Sequence, residues 1–277
     1  MSDLLGKLYD EIAPEYERVR APRFRPFAKS LMRLYDTRPG SLVLDAGCGT
    51  GLVSTMVAPR AGHGGKVIGV DASAAMLEIA RANARGFGFD QCDFRLGDIH
   101  ALEFSDDTFD LVVSSFALWG EPASAFREFR RVLKPRGVLL LLEWDRDADA
   151  VTTTFNDVLA KYRVAAPDAS LAAARAMLDE FRAQRASLRE PKDFVDALRA
   201  AGFGEAHGGW DTQPMQFANA DELFTFVNLG WAHYAEWAHM DADTRARFRA
   251  DAVNALQAFG SGKIVLDKRA LQLAARK

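Results

Sequence analysis

The sequence predicts an α/β fold in which helices pack on both faces of one mostly parallel sheet. Short apolar runs end in a carboxylate at 42–45 and again at 67–71, and stretches of helical length separate such runs. Apolar runs without polar interruption are typical of strands that are buried on both faces. Because strands that alternate with helices build parallel sheets, these observations together predict a doubly wound arrangement.

The elements follow in a regular order through the first half of the chain. Residues 3–36 predict one or two helices, with breaks near Pro22 and Pro26 because proline disrupts a helix interior. Strands and helices then alternate from 41 to about 86. The next predicted elements are a strand ending near 98, a strand at 109–114, a helix at 123–133, a turn at 134–137 and a strand at 138–143.

The second half departs from this alternation. Its predicted elements are helices within 148–186 and 190–200, a strand within 206–217 and a last strand at 263–274. The insertion before the last strand predicts two amphipathic helices. The first carries apolar residues at three- and four-residue intervals: Leu223, Phe226, Val227, Gly230, Trp231, Tyr234 and Trp237. We interpret 1–277 as one domain, with helical lid segments over a substrate at about 1–36, 146–188 and 218–262.

A glycine-rich turn follows the first strand. Gly47, Gly49 and Gly51 stand at alternate positions directly after Asp45. Glycine lets the backbone turn tightly and approach a ligand closely because no Cβ intervenes. A dinucleotide fingerprint requires glycine where this chain has Leu52, and the Gly-Lys-Ser/Thr of a P-loop is absent. The turn therefore predicts a nucleotide-type ligand of another kind.

Three carboxylates mark the ends of predicted strands. Asp45, Asp71 and Asp98 each follow a strand, and in an open parallel sheet the ligand lies beyond the carboxyl ends of the strands. Carboxylates only accept hydrogen bonds, so this rim suits ribose hydroxyls, an exocyclic amine or an ammonium group. One such aspartate could merely begin a turn or cap a helix. Three of them favour a ligand site, and an NAD-dependent oxidoreductase would have no comparable use for Asp98.

With these motifs the chain resembles the class I S-adenosylmethionine-dependent methyltransferases. The segments 9–16 and 133–137 resemble those of the small-molecule methyltransferases of ubiquinone and menaquinone biosynthesis, and the resemblance covers roughly 9–144 well. It implies a Rossmann-like, mostly parallel seven-stranded sheet with an antiparallel last strand and helical lid insertions. It also implies S-adenosylmethionine as the cofactor and S-adenosylhomocysteine as the product.

The resemblance also implies a set of cofactor-binding residues. Asp71 would bind the ribose hydroxyls, Asp98 the adenine amine, and Tyr16 would close over the cofactor. The full set is Tyr16, Asp45, Gly47, Gly49, Asp71, Ala72, Met76, Asp98, Ile99 and Ser114. After the fourth strand, where family members often carry polar residues, this chain has Phe-Ala-Leu-Trp at 116–119, which indicates an apolar pocket wall.

The acceptor is predicted to be a small organic molecule, aromatic or apolar. The Asn/Asp-Pro-Pro-Tyr/Phe motif that is common in methyltransferases of nucleobase or glutamine amino groups is absent after the fourth strand, and the net charge of −3 disfavours nucleic acid. The predicted substrate-binding residues are Ser115, Trp119, Trp231, His233, Tyr234 and Trp237. Core packing explains a stripe of aromatic residues at helical spacing equally well. Four arginines at 18, 20, 23 and 25 either hold an acidic substrate group or, as we favour, form a solvated helix edge.

The predicted reaction is O- or N-methylation by direct displacement. A sulfonium methyl group is already activated, so the protein mainly holds the acceptor close and excludes water. A general base is needed only where the acceptor must lose a proton, and His233 and Tyr234 are the candidate catalytic residues. The alternatives are a methyltransferase of RNA or protein, a cofactor-binding or cyclase-like protein that transfers no methyl group, and an NAD-dependent oxidoreductase.

Composition adds little that is specific. The two cysteines, Cys48 and Cys92, have no metal-ligand spacing, so no metal is expected. The sequence has neither a leader-like segment nor an apolar run of membrane-spanning length, and we therefore expect a cytoplasmic protein that binds neither membrane nor nucleic acid. The expected partner is the small-molecule acceptor, and homodimerisation is left open.

Overall fold

The computed structural model describes residues 2–145 and 149–277, and its centre is one seven-stranded sheet. Its strands are β1 (Leu42–Ala46), β2 (Lys66–Asp71), β3 (Cys92–Leu96), β4 (Phe109–Ser115), β5 (Leu133–Trp144), β6 (Glu205–Phe217) and β7 (Ile264–Arg276). The strand order is β3-β2-β1-β4-β5-β7-β6. The pairs among β1 to β5 are parallel, whereas β7 runs antiparallel to β5 and β6. The predicted doubly wound sheet with an antiparallel last strand is confirmed.

Helices flank the sheet. They are α1 (Ser2–Glu15), a π-helical segment (Tyr16–Arg20), α2 (Ala21–Leu31), α3 (Leu52–Ala61), α4 (Ala74–Gly86), α5 (Pro122–Val132), α6 (Ala150–Leu159), α7 (Ala169–Gln184), α8 (Pro191–Ala200), α9 (Ala220–Asn228), α10 (Trp231–Ala238) and α11 (Ala242–Leu256). Within the ranges just described, no helix is long and apolar enough to cross a membrane.

The core lies on both faces of the sheet. Neighbouring strand residues point to opposite faces, so Val43 belongs to one apolar cluster and Leu44 to another. The first cluster includes side chains from α2, α3, α6, α9 and α11, and the second includes side chains from α5 and α8. Burial on both faces accounts for the uninterrupted apolar runs in the central strands.

The fifth strand begins earlier than predicted. The turn expected at 134–137 lies inside β5, because Leu133 already pairs with Phe109 of β4. The next pair joins Val138 to Leu111, so several residues of β5 bulge out against one residue of β4. Arg136, within this bulge, has a φ of 67°. Residues 134–137 therefore form a bulge within β5 and are not a turn that precedes it.

The N-terminal helices differ from the prediction at their prolines. Neither Pro22 nor Pro26 interrupts the helical segment, since Pro22 lies in the first turn of α2 and Pro26 lies inside it. The irregularity is instead the π-helical segment that joins α1 to α2. A first-turn proline is tolerated because its missing N–H has no intrahelical partner there in any case. π-Helical turns often occur at functional sites.

The predicted first helix of the insertion is two helices. α9 ends at Asn228 and α10 begins at Trp231, with Gly230 as the N-cap of α10. The bend changes which side chains share a face, so the apolar stripe from Leu223 to Trp237 does not lie along one surface. Leu223 is buried in the core of the sheet, whereas Trp231 is buried in a separate cluster.

The helical segments predicted as a lid pack against one another. Leu5 and Leu8 of α1, Leu171 of α7, and Trp231 and Ala235 of α10 belong to one apolar cluster. The first, second and third segments thereby share a small core of their own. Residues 146–148, where the second segment was predicted to begin, lie outside the described residues.

A carboxylate fastens α1 to the N-terminus of α4. Asp10 Oδ1 accepts hydrogen bonds from Ser73 Oγ at 2.6 Å and from the backbone N–H of Ala75 at 2.9 Å. Ser73 is the N-cap of α4 and also accepts a hydrogen bond from the Met76 N–H. A negative charge at a helix N-terminus is favourable.

We expect Asp10→Ala to lower the free energy of unfolding by about 1–3 kcal/mol, because two donors lose a charged acceptor. Urea unfolding measures this loss. Lys7→Ala, at an exposed position of the same helix, is the control and should change stability by less than about 0.5 kcal/mol. Equal losses in the two variants would contradict the role assigned to Asp10.

Candidate active site

The strand order reverses between β1 and β4, and the glycine-rich turn lies at this switch point. Gly47, Gly49 and Gly51 have φ values of 74°, 52° and 80°, which residues with a Cβ rarely adopt. A Cβ on Gly47 would lie 2.1 Å from the Cβ of Ala117 in the segment after β4. Gly47 therefore permits both the turn and its close approach to the neighbouring strand end.

The carboxylate of Asp71 fixes the turn to the end of β2. Its Oδ2 accepts a hydrogen bond from the Gly49 N–H at 2.8 Å, and its Oδ1 accepts one from the Ser73 N–H at 2.9 Å. Burial raises the pKa of Asp71, while these backbone hydrogen bonds oppose the rise. Each carboxylate oxygen can accept more than one hydrogen bond, so the group can also receive a ligand hydroxyl.

Asp45 is more deeply buried than Asp71. Ser54 Oγ donates to Asp45 Oδ2 at 2.6 Å, but Oδ1 is buried and has no hydrogen-bond partner within the described residues. Burial raises the pKa of Asp45 to about 7. A buried acceptor without a donor is costly, which indicates that a ligand with a hydrogen-bond donor would be favoured beside it.

A cavity of about 790 Å³ opens above this turn. The residues that line it are Leu5, Gly6, Tyr9, Tyr16, Gly47, Gly49, Asp71, Ala72, Met76, Gly97, Asp98, Ile99, His100, Ser115, Phe116, Ala117 and Trp119. They come from α1, the π-helical segment, the first turn of α4, the last residues of β2 and β4, and the loops after β1, β2, β3 and β4. We call it the first cavity.

The two ends of the first cavity differ in chemistry. Asp71 and Asp98 place carboxylates at one end, and Asp98 Oδ1 accepts a hydrogen bond from the His100 N–H at 2.9 Å. Phe116 and Trp119 make the other part apolar. Carboxylate acceptors suit the hydroxyls and amine of an uncharged nucleoside, and two carboxylates would repel a pyrophosphate. The residues present thus fit S-adenosylmethionine.

The structure brings most of the predicted site residues together. Those that line the first cavity are Tyr16, Gly47, Gly49, Asp71, Ala72, Met76, Asp98, Ile99, Ser115 and Trp119. Asp45 lines a smaller adjoining cavity of about 370 Å³, which shares Tyr16, Gly47, Gly49 and Ser115 with the first. Asp45 was predicted at the end of its strand, but it lies inside β1, one residue before Ala46.

Ser114 lines neither of these cavities. Its side chain is fully buried within β4, and its hydroxyl has no hydrogen-bond partner among the residues described. Successive strand residues point to opposite faces of a sheet, so Ser114 and Ser115 cannot both face the ligand edge in the same way. Of the two serines, the geometry favours Ser115.

The lid tryptophans pack against other aromatic side chains. Trp231 is only 4% exposed and packs edge-on against Trp119, with ring centroids 5.9 Å apart. Trp237 packs against Phe224 and Phe248. Neither tryptophan lines the first cavity. The interpretation of the stripe as packing therefore accounts for both positions, although Trp231 supports the cavity wall through Trp119.

The two candidate bases also lie away from the first cavity. His233 lines a second cavity, and its Nδ1 and Nε2 lie 3.0 Å from Val227 O and from Asn156 Oδ1. Burial lowers the pKa of His233 to about 4, so the ring is neutral near pH 7 and Nδ1–H donates to the carbonyl. Nε2 then carries no hydrogen and can only accept. It accepts from the Asn156 side-chain NH2 when that amide is turned so that its nitrogen, and not its oxygen, faces the ring.

Tyr234 is engaged elsewhere. Its hydroxyl donates to Glu11 Oε2 at 3.1 Å, and burial together with the charge of Glu11 raises its pKa. A phenol with a raised pKa is a weak base near neutral pH. The geometry places neither His233 nor Tyr234 beside the glycine-rich turn, and their catalytic role stays a prediction.

Several lining residues were not singled out from the sequence. Gly6 and Tyr9 come from α1, and a Cβ on Gly6 would lie 2.4 Å from the carbonyl oxygen of Ala72. The Nε2 of His100 contacts the carbonyl oxygen of Trp119, which links the loop after β3 to the loop after β4. The position of His100 two residues after Asp98 was the available signal, whereas nothing local marks Gly6.

A sheet of this order with an acid-lined glycine turn at its switch point defines the class of Rossmann-like methyltransferases. The model of a family described as "Methyltransferase domain" matches residues 38–186, more than half of the chain. The chain therefore belongs to this methyltransferase family, and it is an S-adenosylmethionine-dependent enzyme.

Individual relatives agree with this assignment. The chain is 31% identical over 268 residues to nocamycin O-methyltransferase of Saccharothrix syringae, which covers 92% of this chain and 91% of the relative. It is 32% identical over 143 residues to demethylmenaquinone methyltransferase of Bacillus cytotoxicus, covering 51% of this chain and 60% of that protein's length. The crystal structure of the [4+2]-cyclase SpnF has the same fold, with a TM-score of 0.59, 21% identity and coverage of 100% and 97%.

Gly47→Ala should lower the free energy of unfolding by about 3 kcal/mol or more, because strain at positive φ and a steric clash add. Gly49→Ala is the matched control, since no atom lies within 4 Å of its added Cβ and only the strain remains. We expect that variant to lose about 1–2 kcal/mol in the same urea titration. Similar losses would show that the approach of Ala117 does not constrain the turn.

The raised pKa of Asp45 predicts a pH dependence of stability. Between about pH 4, where the group ionises in the unfolded chain, and about pH 7, the folded state binds more protons. The contribution of Asp45 to the free energy of unfolding of the ligand-free protein should therefore fall as the pH rises through this range, by at most about 1.4 kcal/mol per pH unit, whereas carboxyls with lowered pKa values, such as Asp110 and Glu128, contribute with the opposite sign. Asp71 contributes in the same direction as Asp45.

Asp45→Asn keeps an uncharged side chain at all these pH values, so the slope of its unfolding free energy against pH should be more positive than that of the unaltered protein. Urea titrations across the range measure both slopes. Asp90→Asn, at an exposed position, is the control and should reproduce the original slope. An unchanged slope in Asp45→Asn would contradict the raised pKa.

Proposed function

We propose that this enzyme methylates an oxygen atom of a small, aromatic or apolar acceptor by direct displacement. The observation that carries the proposal is the match along nearly the whole chain to an enzyme named as an O-methyltransferase. The apolar part of the first cavity, made by Phe116, Ala117 and Trp119, supports an acceptor of this kind. Nitrogen acceptors, which the sequence left open, are the alternative within the same reaction.

We infer how the chain holds its cofactor from the donors and acceptors around the first cavity. Asp71 would accept hydrogen bonds from the ribose hydroxyls, and Asp98 would accept one from the adenine amine. Asp45 has a buried oxygen that no donor of the described residues reaches, beside Gly47 and Gly49, and it suits the ammonium group of the methionine part. Ala72, Met76 and Ile99 would supply apolar contacts to the adenosine.

The cofactor supplies an activated sulfonium methyl group, and the protein supplies position and a dry environment. The side chains of Phe116 and Trp119 line the apolar part of the cavity and would exclude water from a bound acceptor. Burial raises the pKa of Tyr16 to about 12, so its hydroxyl stays protonated and serves as a hydrogen-bonding group. Tyr16 would hold the acceptor or the cofactor in place without removing a proton.

The environments of the two candidate bases, which lie away from the first cavity, favour an acceptor that needs no strong base. His233 is neutral and hydrogen-bonded through both nitrogens, and Tyr234 is bonded to Glu11. An ordinary phenol, with a pKa of about 10, stays protonated at neutral pH, whereas the oxygen of a carboxylic acid, or of a phenol or enol made acidic by electron-withdrawing substituents, is ionised. Such an oxygen can attack the methyl group without help from a general base.

The proposal is tested first by calorimetric titration with S-adenosylhomocysteine. We expect affinity on the order of micromolar for the unaltered protein and an affinity at least about tenfold lower for Asp71→Asn, which loses a charge-assisted hydrogen bond. Asp90→Asn controls for the loss of a carboxylate at an exposed position. NAD should not bind.

Methyl transfer is then measured with labelled S-adenosylmethionine against phenols, carboxylic acids and amines of similar size. Label in an O-methyl product supports the proposal, and label only in amines replaces it by N-methylation. Incorporation into RNA or protein from a cell extract would favour the macromolecular alternative. Affinity for S-adenosylhomocysteine that is unchanged in Asp71→Asn would overturn the assignment of the acidic end.

A further inference from the structure

A second cavity, of about 940 Å³, lies next to the first. Its walls come from the π-helical segment, the end of β5, α6, α9, α10 and β7, and they include Arg20, Trp144, Phe226 and His233. The cofactor residues proposed above do not line it. It is therefore a separate space within the part of the chain that the structure describes.

Two stacked aromatic rings, one facing each cavity, separate the first cavity from the second. Phe116 lines the first cavity and Trp144 lines the second, and their rings stack with centroids 3.9 Å apart and planes at 14°. Phe24 contacts both rings, with centroids 5.1 Å and 5.3 Å away. Phe116 has a φ of 56°, a strained value for a residue with a Cβ. Strain of this kind is typical of functional sites.

The charged side chains of the second cavity are mostly paired. Lys268 Nζ lies 2.5 Å from Asp149, and Arg269 Nε lies 2.7 Å from Asp145. Asp267 is exposed. The two ion pairs are neutral overall and Asp267 faces solvent. These groups therefore do not by themselves select an anionic ligand.

Arg20 differs from these groups. Within residues 2–145 and 149–277 no carboxylate lies at ion-pair distance from its guanidinium, and its buried Nε has no hydrogen-bond partner. The guanidinium lies over the rings of Tyr16, Phe24 and Phe226, at 5.8 Å, 5.4 Å and 5.0 Å from their centroids. Ring faces attract a cation but leave the N–H donors in its plane without acceptors.

The other arginines of the same stretch have partners or face solvent. Arg18 pairs with Glu15, and Arg23 donates to Gln216 O and pairs with Glu222 at 2.8 Å. Arg25 is exposed. Only Arg20 of the four combines partial burial, unpaired donors and a position on a cavity wall.

We propose that Arg20 is the counter-ion of a ligand oxyanion, such as a carboxylate or an ionised phenol or enol, bound at the junction of the two cavities. The proposal rests on the methyl-transfer function proposed above. The oxyanion comes from one of two sources, the acceptor in the second cavity or the methionine carboxylate of the cofactor in the first. The position of Arg20 on the wall of the second cavity favours the acceptor.

The test uses two ligand pairs: the members of the first differ by a sulfonate, and those of the second differ by the zwitterionic amino-acid part that carries the carboxylate. The acceptor arm compares anilinonaphthalene sulfonate with the neutral phenylnaphthylamine, by fluorescence, on protein saturated with S-adenosylhomocysteine. The cofactor arm compares S-adenosylhomocysteine with methylthioadenosine, which lacks the amino-acid part, by calorimetry. Both are measured for the unaltered chain, Arg20→Gln, Arg20→Lys and the exposed control Arg25→Gln.

In the acceptor arm we expect Arg20→Gln to weaken binding of the sulfonate about tenfold while the neutral probe keeps its affinity, since one charge-assisted hydrogen bond is lost. Arg20→Lys should retain most of the sulfonate affinity because it keeps the charge, and Arg25→Gln should have no effect. A tenfold loss confined to S-adenosylhomocysteine in the cofactor arm would also support the counter-ion and assign it to the cofactor carboxylate.

Equal affinities of Arg20→Gln and the unaltered chain for both anionic ligands would overturn the proposal. So would equal losses for the anionic and neutral members of a pair, because such losses report a general change in packing. If the unaltered chain still binds S-adenosylhomocysteine in these cases, only the oxyanion site is contradicted and the proposed function is not. Failure of the unaltered chain to bind S-adenosylhomocysteine overturns the proposed function instead.

Discussion

The two hydrogen bonds accepted by the Asp71 carboxylate are the constraint on which the site depends. One oxygen holds the Gly49 N–H in the turn after β1, and the other holds the Ser73 N–H at the start of α4. Ser73 in turn donates to Asp10, so the same chain of contacts reaches α1. Because backbone donors next to a cavity need an acceptor, one side chain sets the relative positions of a strand end, a turn and two helices.

This arrangement leaves the ligand-free protein with carboxylates that are costly to ionise. Asp45 and Asp71 are both buried enough to have raised pKa values. A ligand that brings hydroxyl, amine or ammonium donors replaces the lost solvent and lowers that cost. Binding and stability are therefore linked, since a ligand that binds only the folded state also stabilises it. The acidic end selects against phosphates for the same electrostatic reason.

The parts of this structure that follow from local sequence were predictable. Buried strands, the glycine-rich turn and the acids beside it are encoded within a few residues, and the sheet they predict is the one observed. The lid was not predictable in the same detail. The pattern from Leu223 to Trp237 indicates an apolar face, but only the bend at Gly230 decides that Trp231 supports Trp119 while Trp237 packs among phenylalanines.

The environments of the four N-terminal arginines were likewise not predictable from local sequence. Sequence spacing makes Arg18, Arg20, Arg23 and Arg25 look alike, and their environments depend on partners distant in the chain, such as Glu222 for Arg23. The π-helical segment takes more residues per turn than an α-helix, so α2 leaves it at a different rotation from α1. Tyr16 then lines the first cavity while Arg20 lines the second, and the two side chains touch across the partition. A cation held between rings keeps its charge but lacks acceptors, which is the condition under which an anionic ligand gains most from binding there.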